Sequence, residues 1–498
     1  MSHWIIAPVV LPAVAAALMV LALRRSLTLQ RGVSLAAVLA LNAIALALLH
    51  AATTGAPQAY FLGDWPAPFG IVLILDRLSA LMVALLAALA LPVTLYAIGS
   101  GWDAKGEHFH PLLMFLLMGL GGAFLTGDAF NLFVFFEVLL IASYGLMIHA
   151  GGEARIRAGL HYVAFNLVGS ALFLFALGLL YATTGTLNMA DLAVKLPTLP
   201  EGDAALLRTA AVMLFLVFAI KGALVPLHFW LPATYANAPG VTAAIFAIMT
   251  KVGAYATLRF ATLVFPADLP ATGLILPTFL LPAALVTLGL GAIGTLGTTT
   301  LPRLAAFAGI ASMGTVFLGL AQMTPAASAA ALYYLIHSTL ASALIFLASD
   351  LLSRRRAHLR LDSPATVARP GLTGALFLAA AVAIVGLPPL SGFPGKLMIL
   401  DAWRDQAAVI WPAILVSSFL MLLGFSRAGS TVFWKPGTDP APVTTREPLA
   451  FAAAFALLGG LVALTVLAGP VTGWLMTTTE ALNDPAALIA ANRLSVAP

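Results

Sequence analysis

Apolar runs of roughly twenty residues, the length a helix needs to cross the hydrocarbon core of a bilayer, follow one another along the whole chain. The polar stretches between them are short, and the longest, Ser353 to Arg369, is only a loop. Charged residues make up 9% of the 498 and apolar ones 61%, whereas a soluble domain carries about a quarter charged residues. The expected fold is all-α and polytopic: a single transmembrane domain over 1–498, with no soluble domain of useful size.

The formal net charge of +5 does not point to nucleic acid. Lys and Arg lie mostly in loops between spans, where the positive-inside bias places them. The chain has no cysteine, so disulfide, iron–sulfur, haem-thiolate and Cys-zinc sites are excluded. No cofactor or metal is expected. The first run, Trp4 to Leu23, lacks a basic stretch before it and is followed by Arg24 and Arg25. That order is the reverse of a cleavable signal peptide, so the run reads as a retained span whose C-terminal end faces the cytoplasm.

Fourteen helices are expected, with cores near 4–23, 33–51, 71–98, 111–126, 129–149, 159–182, 205–227, 239–264, 272–295, 302–322, 327–350, 371–399, 407–433 and 447–475. Loops after odd-numbered spans, with their flanking ends, hold fifteen basic residues, among them Arg31, Arg155 and Arg354 to Arg356. Loops after even-numbered spans and the tail hold five: Lys195, Arg208, Arg259, Arg404 and Arg493. The bias puts the odd-numbered loops in the cytoplasm and both termini outside. Arg77 directly follows Asp76 near the outer end of the third span, where an interfacial charge pair or snorkelling explains it.

An ionisable side chain at membrane depth costs a few kcal/mol or more. Glu137 nevertheless sits within Phe130–Leu140, about 12 Å into its helix at 1.5 Å per residue. Lys251, in Thr250-Lys251-Val252-Gly253, and His337, in Ile336-His337-Ser338-Thr339, are similarly deep. Lys221 and Lys396 lie beside proline-rich breaks, Lys221 before Pro226 and Pro232 and Lys396 after Pro388, Pro389 and Pro394. Proline removes a backbone donor, and the freed carbonyls are tolerated only against protein or a wet cavity. A broken helix bearing a lysine therefore favours a hydrated ion site.

These residue types suit proton transfer. Burial disfavours the charged ammonium and a nearby carboxylate favours it, so a glutamate moving towards or away from Lys221 would load or empty it. His337 titrates near neutrality and suits a relay step. Hydroxyls of Thr250, Ser338, Thr339 and Ser342 would help hold water, with His228 as a further supporting group. The bland alternatives are a structural Glu–Lys clamp, a satisfied core histidine at position 337, and local hydrogen bonding by His228. His161 reads as interfacial, and Asp128 and Asp350 as helix-end residues. Five titratable groups on five separate helices weigh against all of these being decoration.

The two interrupted helices, seventh and twelfth, are five spans apart, and an odd offset inserts the second unit upside down. Paired breaks of this kind mark inverted-repeat transporters. The chain then divides into an N-terminal three-helix segment (1–107), a first unit (108–268), a second unit (269–436), and a C-terminal helix and tail (437–498).

Phe135-Phe136-Glu137, Lys221 with Pro226-Leu227-His228-Phe229-Trp230-Leu231-Pro232, Thr250-Lys251-Val252-Gly253-Ala254-Tyr255, and Pro388-Pro389-Leu390-Ser391-Gly392-Phe393-Pro394-Gly395-Lys396 resemble the antiporter-like subunits of respiratory complex I and of the Mrp/Pha multisubunit monovalent cation/proton antiporters. The likeness covers nearly the whole chain, and its length and local wording are similar to the D-type member of the Mrp/Pha set. The resemblance implies an essential charge pair at Glu137 and Lys221, a central relay at Lys251 and His337, and proton exchange at Lys396. It also implies a hetero-oligomer with Mrp/Pha A, B, C, E, F and G type subunits in a bacterial cytoplasmic (inner) membrane. The chain departs from many relatives at Ala233, where they carry an acidic residue, and at His161, where they carry lysine.

The function expected is that of a proton-translocating subunit in a secondary Na⁺ or K⁺/proton antiporter, a transporter and not an enzyme. The alternatives are a proton-pumping subunit of a complex I or membrane-hydrogenase assembly, and a non-transporting scaffold whose charges only specify packing.

Overall fold

The computed structural model describes residues 2–435, 437, 442 and 446–494. Two helices, α1 (Ala7–Leu21) and α2 (Leu27–Thr54), precede an antiparallel hairpin of β1 (Gln58–Phe61) and β2 (Val72–Leu75). Then come α3 (Arg77–Gly99), α4 (Phe109–Leu125), α5 (Ala129–Ile148), α6 (Glu153–Thr184), the short α7 (Met189–Lys195) and α8 (Ala204–Lys221). Next are α9 (Trp230–Asn237), α10 (Gly240–Phe246), α11 (Met249–Arg259), α12 (Ile275–Gly297), α13 (Leu301–Leu320) and α14 (Pro325–Ser353). The last helices are α15 (Pro370–Val385), α16 (Gly392–Ala402), α17 (Ala407–Gly429), α18 (Pro448–Val466), α19 (Ala468–Leu482) and α20 (Ala486–Ala491).

Among the described residues, 12 helical segments are long and apolar enough to cross a membrane, and Phe109–Leu125 and Pro370–Val385 are shorter apolar helices. Each of the fourteen expected cores falls largely on helix, so the polytopic all-α reading holds. Three details differ. The third span does not begin at 71: Val72 to Leu75 pair with Gln58 to Phe61 as strand, and helix starts only at Arg77. Asp76 caps it, its carboxylate accepting from Ser79 N at 2.8 Å while Ser79 Oγ accepts from Asp76 N at 2.9 Å, a reciprocal box that fixes the helix start. The second span starts earlier than expected, at Leu27 behind the Ser26 cap. Beyond 475 the chain remains helical through α19 and α20. The expected boundary at 436 lies outside the described residues.

Of the two readings of Arg77, a charge pair with Asp76 or snorkelling, the charge pair is not the one formed. Asp76 pairs with Arg259, at 2.5 and 2.8 Å. Arg77 instead donates to Thr53 O at 3.0 Å and lies over the Trp474 ring. Arg259 is therefore no loop residue: it is buried inside the α10–α11 span.

Packing turns the usual polarity order inside out. The α10–α11 span, α14 and α13 are the most buried of the spans and also the least hydropathic. Lipid tails are as apolar as leucine, so helices that carry hydroxyls, lysine and histidine gain by facing one another. Helices α2, α6, α12, α17 and α18 turn most of their surface outward.

Both expected breaks are present. α8 ends at Lys221 and helix resumes at Trp230, whose indole Nε1 donates to the freed Ile220 O at 3.0 Å. Val225 N is satisfied by Thr287 Oγ1 of α12 at 2.9 Å. α15 ends at Val385, where Gly386 takes a positive φ of 81° and returns its N–H to Val382 and Ala383 O. A side-chain-bearing residue is disfavoured in that conformation. Freed backbone groups are thus met by protein, as membrane depth requires.

Candidate functional site

Glu137, Lys221, Lys251, His337 and Lys396 lie on α5, α8, α11, α14 and α16 respectively, five different helices. Lys251, His337, Lys221 and Lys396 are buried, whereas Glu137 is half-buried.

Glu137 and Lys221 do not touch. Among the described residues neither takes part in an ion pair, although each is within electrostatic range of the other. Ser170 of α6 donates a short hydrogen bond to Glu137 Oε1. Lys221 Nζ donates to Asn166 Oδ1, also on α6, at 2.9 Å and lies 5.7 Å from the centre of the Phe136 ring. One helix turn separates Asn166 from Ser170, so α6 forms a polar step between acid and amine. Beside it, Tyr162 bonds Ser143 at 2.9 Å and stacks on Trp230. A cavity of about 10 Å³ bounded by Phe136, Tyr162, Asn166, Lys221 and Trp230 is near the minimum that holds one water.

Lys251 stands one backbone contact away from Lys221. A Cβ on Gly253 would lie 2.5 Å from Gly222 N and from Phe218 O, so only glycine lets α11 lie against the end of α8. Among the described residues Lys251 Nζ makes one long hydrogen bond, 3.4 Å to Thr250 Oγ1, and the side chain is enclosed by protein. Thr250 Oγ1 in turn donates to Ala247 O.

His337 lies within electrostatic range of both Lys251 and Lys396. Its Nδ1 is 2.9 Å from Ser391 Oγ in the second break, while Nε2 has no hydrogen-bond partner among the described residues. A Cβ on Gly392 would come within 2.7 Å of Nε2, so the glycine leaves room for that ring. Lys396 Nζ donates to Val385 O and to Ser418 Oγ, each at 2.7 Å. It thereby caps the C-terminal end of α15, where a cation is favoured by the helix dipole.

The supporting residues are placed less uniformly. Ser338 Oγ and Thr339 Oγ1 both donate to Leu335 O on their own helix. His228 lies in the first break, and its Nδ1 has no partner among the described residues. His161 is exposed. Asn166, Ser170, Ser391 and Ser418 complete the set, and sequence reasoning misses all four. Small polar residues are common in membrane helices, and only the proximity of a lysine or glutamate would point to them. No group of three His, Asp or Glu residues suited to a metal ion occurs among the described residues.

Each of the five groups lies within reach of a hydroxyl or amide, on Ser170, Asn166, Thr250, Ser391 and Ser418 in turn, a kind of group that can both give and take a hydrogen bond.

Residues 126–424, which include all five groups, match the family described as "NADH:quinone oxidoreductase/Mrp antiporter, TM". The chain is 36% identical to a probable K⁺/H⁺ antiporter D-type subunit from Rhizobium meliloti, over 97% of this chain and 96% of that one. It is 38% identical to a Na⁺/H⁺ antiporter D-type subunit from Bacillus subtilis, over 93% and 94%. A chain of the Mrp complex from Dietzia sp. DQ12-45-1b superposes with a TM-score of 0.87 at 26% identity, covering 99% of both chains.

Proposed function

The chain belongs to the NADH:quinone oxidoreductase/Mrp antiporter membrane family, and on that premise we propose that it is the proton-translocating D-type subunit of a multisubunit monovalent cation/proton antiporter. The observation that carries this reading is the ordered series of Glu137, Lys221, Lys251, His337 and Lys396 on five packed helices, two of them at breaks. The relatives named as antiporter subunits at 36% and 38% identity favour this over a pump driven by electron transfer.

In this reading Glu137 and Ser170 receive a proton, Asn166 holds Lys221 in place, and Lys221 accepts when the carboxylate is charged. Lys251 and His337 carry the proton across the midplane to Lys396, whose contact with Ser418 leads outward. Partner subunits of A, B, C, E, F and G type complete the complex. The chain spans the bacterial cytoplasmic membrane with both termini outside.

Two inverted units, spans four to eight and nine to thirteen, are supported by matching local features. At the junction of α4 and α5, Ala129 N donates to Leu187 O and Met189 N to Gly127 O. At the junction of α12 and α13, Leu301 N donates to Leu359 O and Leu361 N to Thr299 O. π-helical turns, Phe260–Val264 and Ser430–Trp434, likewise follow α11 and α17. In each case the partner feature falls five spans later, and an odd offset puts it at the opposite end of the bundle.

Antiport in everted vesicles carrying the full complex tests the reading. Lys221→Ala and Glu137→Ala should each abolish cation-dependent pH change while the complex remains assembled. Antiport at the normal rate in either variant defeats it.

A further inference from the structure

His337 and Lys396 both touch the second break. The end of α15 gives Val385 O to Lys396 Nζ at 2.7 Å, and an added Cβ on Gly386 would lie 3.2 Å from that Nζ. An added Cβ on Gly392 would have His337 Nε2 at 2.7 Å, with Ala383 O and Gly386 Cα each at 2.8 Å. The ring edge that carries Nε2 therefore faces the end of α15, and Gly386 is close to both the ring and Lys396.

Ser391 holds that orientation. It is buried, immediately precedes α16, and places Oγ 2.9 Å from Nδ1. Its own C=O accepts from Gly395 N at 3.2 Å, which ties the serine to the first turn of the helix that bears Lys396. The hydroxyls beside His337 on α14 are engaged elsewhere, Ser338 and Thr339 both donating to Leu335 O. Tyr334 packs on the ring with 5.3 Å between centres. A carbonyl oxygen only accepts, whereas a hydroxyl both gives and takes. With Ala383 O on the Nε2 side, the neutral ring keeps its hydrogen on Nε2 and accepts the Ser391 hydrogen at Nδ1, because the bond made by one ring nitrogen sets the state of the other.

We propose that Ser391 is a positioning residue for the step between His337 and Lys396: its hydroxyl turns Nε2 towards the second break and keeps that nitrogen as the one bearing hydrogen in the neutral ring. This rests on the proton-transfer reading of the buried groups. A further proton enters the ring at Nδ1, and the Ser391 hydroxyl then rotates from donor to acceptor. The ring returns to neutral by releasing one proton, and Ser391 neither gains nor loses one. Lys251 of α11 and Lys396 of α16 are the charged groups within range of the ring. Both repel the charged ring when they are loaded, and the Ser391 oxygen offsets that repulsion.

Ser391→Ala takes away one oxygen and adds nothing, so the packing around the break is kept. A hydrogen bond to a charged group outweighs a neutral one by roughly tenfold in an equilibrium, so alanine takes more from the protonated ring than from the neutral one. The test is initial cation-driven proton flux across a pH series in proteoliposomes holding the complete complex. In Ser391→Ala the alkaline limb of the profile should move about one unit towards acid, and Ser391→Thr, which keeps the hydroxyl, should return it. An unmoved limb in the assembled Ser391→Ala complex, or flux scaled down equally at every pH, overturns the proposal. If the extra methyl of threonine prevents assembly, the alanine profile decides alone. Normal antiport in Lys221→Ala would instead defeat the function on which the proposal rests.

Discussion

Arg259 and Asp76, 183 positions apart in sequence, meet as a two-point ion pair that ties the end of α11 to the first turn of α3. Both residues are buried, and Asp76 is at the same time the cap of α3. Below the pair, Tyr255 and Lys251 follow at four-residue spacing on the same face of α11, so the pair fixes the helix that carries the central lysine.

Breaking a buried pair from one side leaves an uncompensated charge, a loss of about 3–5 kcal/mol. Arg259→Ala should therefore reduce the amount of assembled complex in the membrane and lower its melting temperature. Adding Asp76→Asn should recover part of the loss. Unchanged stability in Arg259→Ala would show that the pair is not a clamp.

Among the described residues, Asn166 accepts the one side-chain hydrogen bond that Lys221 donates. A hydrogen bond to a charged group is worth about 1.5–3 kcal/mol, or roughly ten- to a hundredfold in a rate that depends on it. Asn166→Leu should cut antiport by that factor with the complex intact, measured as initial rates in everted vesicles. A normal rate would detach Asn166 from the transfer step.

Outside the membrane spans, Asp103 is held by Arg31 at 2.6 and 2.8 Å and by His110 at 3.0 Å. Burial pushes its carboxyl up, but the bonds from Arg31 and His110 outweigh burial and bring it down to about 2. A carboxyl held below its unfolded value of about 3.9 stabilises in full above that value and loses the contribution as pH falls through the folded one. Asp103→Asn should thus lower the melting temperature of the purified complex at neutral pH. The gap to the unaltered complex should stay level down to about pH 4 and narrow towards pH 2. A gap that widens on acidification would contradict the sign.

The breaks and the five titratable groups are legible in the sequence because charge and proline stand out against an apolar background. Arg259 is not, since it sits so near the end of its run that it reads as a loop residue, and its partner is distant in sequence. The hairpin is hidden for a different reason: Val72-Leu73-Ile74-Leu75 is an apolar run too short for periodicity to separate strand from helix start. Gly253 and Gly392 become meaningful only with the backbones they approach, Gly222 and Gly386. Between Glu137 and Lys221 stand two polar residues of α6, Ser170 and Asn166, which no spacing in the sequence encodes.

Lys251 is the group through which both units must communicate if the five residues form one route. The most direct test is proton flux driven by a cation pulse in proteoliposomes holding the complete complex with Lys251→Met, a substitution of similar length without a titratable amine. Flux should fall to background with the complex intact, and adding Glu137→Ala should lower it no further. Flux near the normal rate in Lys251→Met would mean that protons cross elsewhere.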